Sequence, residues 1–314
     1  MTAAPLPDAL PDNWVDRFAP RALRPWLKLA RFDRPIGTWL LMLPGWQAVA
    51  LAGAERGKGP DLELLALIAI GAPVMRGAGC AYNDIVDRDY DAKVARTALR
   101  PIPAGQISVR QAWAYVVALS LVGLVILLSL TPLAIVLGLG SLLLVAAYPF
   151  MKRITWWPQA WLGLTFNWGA PLGYAAATGG FGWQAVLLYA SGFFWTLGYD
   201  TLYAVQDMED DALVGVKSSA LRLGAKAPRA VALFYAVCVL LAGAAAAIAG
   251  LGPLVLPLLA AYALHLFWQA RRLRLDDGTL ALRLFKSNRE AGLILFFALI
   301  AGIWRHGGVF GLGG

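Results

Sequence analysis

Histidine and cysteine are almost absent from this chain. His265 and His306 stand far apart, and Cys80 and Cys238 each lie inside an apolar run. Two isolated imidazoles argue against a histidine-based metal site. Two cysteines in apolar surroundings give no disulfide framework, and both read as inert core residues. Charge is scarce as well: Asp, Glu, Lys and Arg make up 15% of 314 residues, against 59% hydrophobic residues and a mean hydropathy of +0.62. A water-soluble fold of this length needs far less apolar material, so the excess calls for lipid as solvent. The first 35 residues lack the apolar core of a signal peptide, and Asp8, Asp12 and Asp16 there argue against a mitochondrial transit peptide. The net charge of +8 sits in short loops between apolar spans rather than in a stripe on a soluble domain. Nucleic acid is thereby excluded as a partner.

Apolar spans recur at 36–54, 63–83, 111–129, 133–149, 158–178, 184–206, 230–250, 252–270 and 290–304. Most approach the roughly 20 residues that cross a bilayer. The pattern predicts an all-α integral membrane protein: nine transmembrane helices in a bundle over 36–305, a polar and amphipathic segment over 1–35, and a short tail over 306–314. Within the first segment, Trp14, Phe18, Leu23, Trp26, Leu27 and Leu29 could lie along a membrane surface. With the N-terminus inside, each even-numbered span leads into a basic loop. The opposite face receives only Arg56, Lys58 and Arg305. That asymmetry predicts a cytoplasmic N-terminus, with Ala92 and Ala225 on its side of the membrane and Gly59 and Gly179 on the other.

Two segments carry carboxylates at a density that apolar spans exclude. One is Asn83-Asp84-Ile85-Val86-Asp87-Arg88-Asp89-Tyr90-Asp91; the other is Asp207-Met208-Glu209-Asp210-Asp211. Positions four apart share a helix face, so Asn83, Asp87 and Asp91 form one oxygen-rich stripe and Asp207 and Asp211 a second. Like charges at that spacing repel and need a compensating cation. Oxygen donors without His or Cys suit a hard divalent ion, Mg²⁺, bridging to substrate phosphates. Asp84, Asp89, Glu209 and Asp210 fall off the stripes and read equally well as solvated loop residues.

The two segments also look like copies. Arg76 precedes Asn83 by seven residues, and Asp200 precedes Asp207 by seven. Each set is followed by a basic tract, 96–100 and 217–222, and their four-span spacing fits a bundle of two related halves. Arg76 and Asp200 themselves fall in or near hydrocarbon, where a charge costs roughly 2.5–3.5 kcal/mol and usually faces a partner or a cavity. Arg96, Arg100, Lys152, Arg153 and Lys217 could bind diphosphate oxygens, although each alone serves equally as a topology signal.

The stretch from Met75 through Asp91 resembles the NDxxDxxxD motif of the UbiA-type intramembrane aromatic prenyltransferases. Asp207 through Asp211, with Lys217-Ser218 following, resembles their DxxxD motif. Features similar to the 4-hydroxybenzoate polyprenyltransferase branch are Arg31-Phe32-Asp33-Arg34-Pro35-Ile36-Gly37, Arg96-Thr97 with Arg100-Pro101, Tyr148 through Arg153, and Ser287-Asn288 before Gly292. The resemblance extends from about residue 24 to 305. It implies Mg²⁺-dependent transfer of a polyprenyl group from its diphosphate to 4-hydroxybenzoate in ubiquinone synthesis. It further implies a multi-pass protein of a bacterial cell inner membrane, with its active site facing the cytoplasm. Asp87, Asp91, Asp200, Asp207 and Asp211 would serve catalysis, with Asp200 or Asp91 accepting the released proton. Arg34, Arg76, Arg96, Arg100, Lys152, Arg153, Tyr203 and Lys217 would bind substrates, Arg34 being the candidate for the benzoate carboxylate. Other acceptors (haem, naphthoate, homogentisate) remain open alternatives. A secondary transporter is a more distant one, since transporters place their charges at the midplane rather than at one face.

Overall fold

The computed structural model describes residues 13–93 and 97–304, apart from the side chains of Glu209, Asp210 and Val214. Arg96 and the tail 306–314 lie outside the described residues. Among the described residues no strand occurs, as the apolar periodicity predicts. The chain forms two compact units, Met1–Trp39 with Ala69–Ser129, and Leu40–Ile68 with Leu130–Gly314.

The first unit begins with two short helices, α1 (Trp14–Phe18) and α2 (Arg24–Leu29). Asn13 caps α1 by accepting from the Asp16 amide, the Trp14 indole donates to the Phe32 carbonyl at 2.7 Å, and Lys28 pairs with Asp16 at 2.7 Å. Partial burial pushes the Asp16 carboxyl up, but hydrogen bonds from Lys28 and Asn13 outweigh it and hold the group below the usual carboxylate range. The chain then enters α3 (Ile36–Glu55) and returns in α4 (Leu62–Asp91). A capping box between Ser108 and Gln111 starts α5 (Val109–Leu128). Leu29, Ala81, Ile85, Ile102, Ile107 and Ala112 form the core of this unit. The face of α5 that carries Val117, Leu121, Val125 and Leu128 is exposed. An apolar helix turned outward suits lipid, not water.

The second unit continues with α6 (Pro132–Ile154), α7 (Pro158–Phe166), α8 (Gly169–Thr178) and α9 (Trp183–Val205). Short α10 (Met208–Val214) and α11 (Ser219–Leu223) follow, then α12 (Ala227–Ile248), α13 (Val255–Arg272), α14 (Gly278–Lys286) and α15 (Asn288–Ala301). Proline in the first turn, where its missing N–H costs nothing, opens α6, α7 and α12. Helix α9 is central and packs on α7, α8, α11, α12 and α14. Its Gly198 lets Tyr235 of α12 approach so closely that a Cβ would stand 2.1 Å from the ring. A buried polar network ties the surrounding helices together. Trp195 donates to Asn288 at 2.8 Å, Asn288 to Gln269 at 3.2 Å, and Tyr235 to Gln269 at 2.7 Å. In a low-dielectric interior such a network stabilises one arrangement only when its members find partners.

The fifth apolar span is not one helix. The Asn167 side chain donates to the Gly163 carbonyl at 2.8 Å and to Thr196 at 2.7 Å, and the chain breaks there into α7 and α8. Among the described residues five helical segments are long and apolar enough to cross a membrane, against the nine spans expected: Ile36–Glu55, Leu62–Asp91, Val109–Leu128, Pro132–Ile154 and Ser219–Ile248.

Candidate active site

In the first unit the acidic motif occupies the last three turns of α4. Asn83 donates to Asp87 at 3.0 Å, one turn apart on the same face, and Asp87 is fully buried. Asp91 accepts from Arg100 at 2.7 Å, while its backbone carbonyl accepts from Thr97. The third carboxylate, Asp84, was legible only as an equal choice between solvated and functional. It is fully buried between two arginines: its Oδ1 accepts from Arg31 at 2.7 Å and from Arg100 at 3.3 Å, and its buried Oδ2 has no hydrogen-bond partner. Asp89 is the opposite case, with its side chain 76% exposed beside Arg88. A buried carboxylate is tolerated when paired and hydrogen-bonded; Asp84 meets that condition through residues 53 and 16 positions away.

Besides Arg100, two more predicted substrate-binding arginines, Arg34 and Arg76, lie among the described residues of the same unit. Arg34 donates through Nε and Nη2 to Asp33 at 3.2 and 3.1 Å; the buried Asp33 keeps its other oxygen without a hydrogen-bond partner. Arg76 donates to the Arg31 carbonyl at 2.9 Å. Its guanidinium lies on Gly37, where a Cβ would fall 2.5 Å from Nε and 2.7 Å from Nη2. The absence of a side chain at position 37 is therefore what lets Arg76 occupy its place. Arg31 and Asp33 belong to the same motif as Arg34, and their spacing alone assigns neither of them a role.

In the second unit Asp200 and Tyr203 lie in the last turns of α9, and the Tyr203 ring packs on Phe285 at 4.8 Å between centroids. The stripe expected to run on through Asp207 and Asp211 is interrupted, because α9 ends at Val205 and Asp207 precedes α10 with φ −106° and ψ 0°. Asp207 is buried, and its carbonyl accepts from the Asp211 amide at 2.8 Å. Gly215, at φ +74°, ends α10 and turns the chain back, so that the Lys217 amide donates to the Lys152 carbonyl at 3.2 Å and its ammonium to the Ile154 carbonyl at 3.2 Å. Lys152 and Lys217 are thus brought together at the end of α6. Arg153 is exposed, its guanidinium 5.9 Å from the centre of the Phe150 ring. Sequence reasoning missed Gln206, whose buried side-chain amide nitrogen has no hydrogen-bond partner.

A helical chain with an apolar helix face turned outward, and with buried carboxylates paired to arginines at the end of α4, defines a membrane protein equipped to handle an anionic substrate. The model of the UbiA prenyltransferase family matches residues 41–301, and the chain belongs to that family. It is 45% identical over 291 residues to the mitochondrial 4-hydroxybenzoate polyprenyltransferase of Arabidopsis thaliana, covering 92% of this chain and 71% of that protein. To the human mitochondrial protein of the same name it is 46% identical over 290 residues, covering 92% and 78%. Among solved structures it is similar to the apo UbiA homolog of Aeropyrum pernix K1, with TM-score 0.69, 27% identity and coverage of 85% and 98%. A UbiA homolog of Archaeoglobus fulgidus, bound to GPP and Mg²⁺, shares the fold with TM-score 0.67, 20% identity and coverage of 88% and 99%. The mitochondrial relatives overturn the expectation of a bacterial cell inner membrane. Charge asymmetry reports which membrane face a loop occupies and carries no information on whose membrane it is.

Proposed function

We propose that this chain transfers a polyprenyl group from its diphosphate to the carbon ortho to the hydroxyl of 4-hydroxybenzoate. The observation that carries the reading is identity of 45–46% over nine-tenths of the chain to proteins named for that activity. The donor chemistry supports a metal. Among the described residues no three His, Cys, Asp or Glu side chains form a ready-made cage. Mg²⁺ seldom asks for one, since it takes one or two carboxylates together with waters and substrate phosphates. Asn83 with Asp87, and Asp207 with Asp211, supply such oxygen donors, and the unpartnered Asp84 oxygen adds acceptor capacity in the first unit. Held there, Mg²⁺ would neutralise the diphosphate and improve it as a leaving group.

The remaining steps fall to the chain's own residues. Arg96, Arg100, Lys152, Arg153 and Lys217 donate to diphosphate oxygens as negative charge develops on them. The bond from the allylic carbon to the diphosphate oxygen breaks, and apolar surroundings keep water from trapping the cation. The ring carbon beside the phenol hydroxyl attacks and then loses its proton. Of the two candidate acceptors, Asp200 is favoured, because the Asp91 carboxylate is already engaged by Arg100 at 2.7 Å.

Arg34 tests acceptor recognition. A carboxylate in a poorly hydrated site needs a planar cationic donor, and Asp33 holds the Arg34 guanidinium in one orientation. Arg34→Ala should raise KM for 4-hydroxybenzoate about 10- to 100-fold, the value of a charge-assisted hydrogen bond, and leave KM for the diphosphate near its starting value. Lys at this position should recover part of the loss. An equal rise for both substrates would remove Arg34 from acceptor binding.

Gly37→Ala tests Arg76 without altering its charge. The atoms nearest the new methyl group belong to the far end of a flexible side chain, so thermal unfolding in detergent should change little. The displaced guanidinium should nevertheless raise KM for a substrate by about fivefold or more, a loss on the scale of one hydrogen bond. Unchanged kinetics in a normally folded Gly37→Ala protein would show that the position of Arg76 is irrelevant to turnover.

A further inference from the structure

Arg31 ends α2 in a backbone conformation that ordinarily belongs to glycine. The Arg31 amide donates to the Lys28 carbonyl at 3.1 Å and the Phe32 amide to the Leu27 carbonyl at 2.9 Å. These are the two hydrogen bonds of a Schellman cap, whose left-handed residue is usually Gly. Here it is an arginine at φ +61°, and among the described residues no other non-glycine has a positive φ. The Cβ of an L-residue is strained in that conformation. Strain of this kind persists only where the surroundings over-determine it, and it gathers at functional sites.

Both ends of the residue have partners. The buried guanidinium donates from Nη2 to Asp84 at 2.7 Å and from Nη1 to the Lys28 carbonyl at 3.1 Å. The left-handed turn presents the Arg31 carbonyl to Nη1 of Arg76 at 2.9 Å, and the missing side chain of Gly37 leaves room for that guanidinium. We propose that Arg31 is a positioning residue: its ion pair with Asp84 holds a strained turn whose carbonyl aims Arg76 at a substrate anion. The inference rests on the reading of Arg76 as a substrate-binding residue. It adds a reason why a position built for glycine carries arginine. The side chain holds the turn, and the backbone does the aiming.

Arg31→Ala and Arg31→Gly separate the two parts. Both remove the guanidinium and leave Asp84 to Arg100 alone, so they differ only in the cost of the left-handed turn. Arg76→Ala first identifies which substrate's KM depends on Arg76. Arg31→Ala should raise that same KM by about 5- to 30-fold, the left-handed penalty expressed as an equilibrium ratio. Arg31→Gly, which needs no side chain to hold the turn, should stay within about twofold of the unaltered protein, since glycine enters the left-handed region freely. Should Arg31→Ala fail to fold, Arg31→Asn and Arg31→Gln replace the pair, because Asn tolerates the left-handed region and Gln does not. Asn should then follow Gly. Equal KM values for Arg31→Ala and Arg31→Gly, or for Asn and Gln, would overturn the proposal while leaving Arg76 in place. Unchanged constants for Arg76→Ala would overturn the reading of Arg76 itself, and the inference with it.

Discussion

Asp87→Ala is expected to lower turnover by roughly 100- to 1,000-fold, the scale seen when one preorganised charge-stabilising group is removed. Asp207→Ala should fall equally far. The hydrogen bond that Asp87 accepts from Asn83 runs within one helix, so the loss of that bond does not itself untie two segments of chain. Asp207 likewise sits at a helix start, where its backbone, not its carboxylate, accepts the Asp211 amide. Thermal unfolding of both variants in detergent separates lost metal binding from lost folding, and it should stay close to that of the unaltered protein. Chelation of the unaltered protein with EDTA should reproduce the loss. Added Mg²⁺ should reverse it, because an ion held by oxygens alone exchanges readily. Normal turnover in a chelated sample would remove the metal from the account.

Asp84→Ala should act on stability first. Its carboxylate joins α4 to Arg31 and Arg100, and its removal takes the 2.7 Å ion pair from the buried Arg31 guanidinium, although Arg100 keeps Asp91. Breaking a buried pair from one side costs roughly 3–5 kcal/mol, most of it the stranded charge. Asp84→Ala should accumulate poorly and unfold well below the unaltered protein. Asp84→Asn should lose less, since the amide oxygen still accepts from both arginines. Wild-type thermal unfolding of Asp84→Ala would show that the pair contributes nothing to the fold.

Asp84 also marks the limit of what the sequence made legible. The stripe argument weighs residues by helical spacing, which selects Asn83, Asp87 and Asp91 and discards their neighbour. What decides Asp84 is the pair of arginines 53 and 16 residues away, and only tertiary structure brings them to it. The left-handed turn at Arg31 was hidden for a similar reason: no glycine marks it, because the side chain that strains the turn also holds it. The break at Asn167 escaped notice because one amide in an apolar run reads as a tolerated polar residue. Its two hydrogen bonds appear only once α9 is beside it. The interruption before Asp207 likewise has no glycine or proline to announce it. By contrast, the long apolar runs over α5 and α6 gave helices that start within two residues of the expected positions. Ser108 and Gln111 begin α5, and Pro132 begins α6. The family was legible too, since its motifs are contiguous and survive without any knowledge of packing.

The central claim is tested most directly by product analysis. The purified protein in lipid, supplied with 4-hydroxybenzoate, a polyprenyl diphosphate and Mg²⁺, should release diphosphate together with an acceptor that has gained one prenyl chain. That chain should be bonded to the ring carbon ortho to the hydroxyl, with the carboxylate and phenol intact. Diphosphate release without a prenylated ring, or a prenyl group attached through oxygen, would contradict the account.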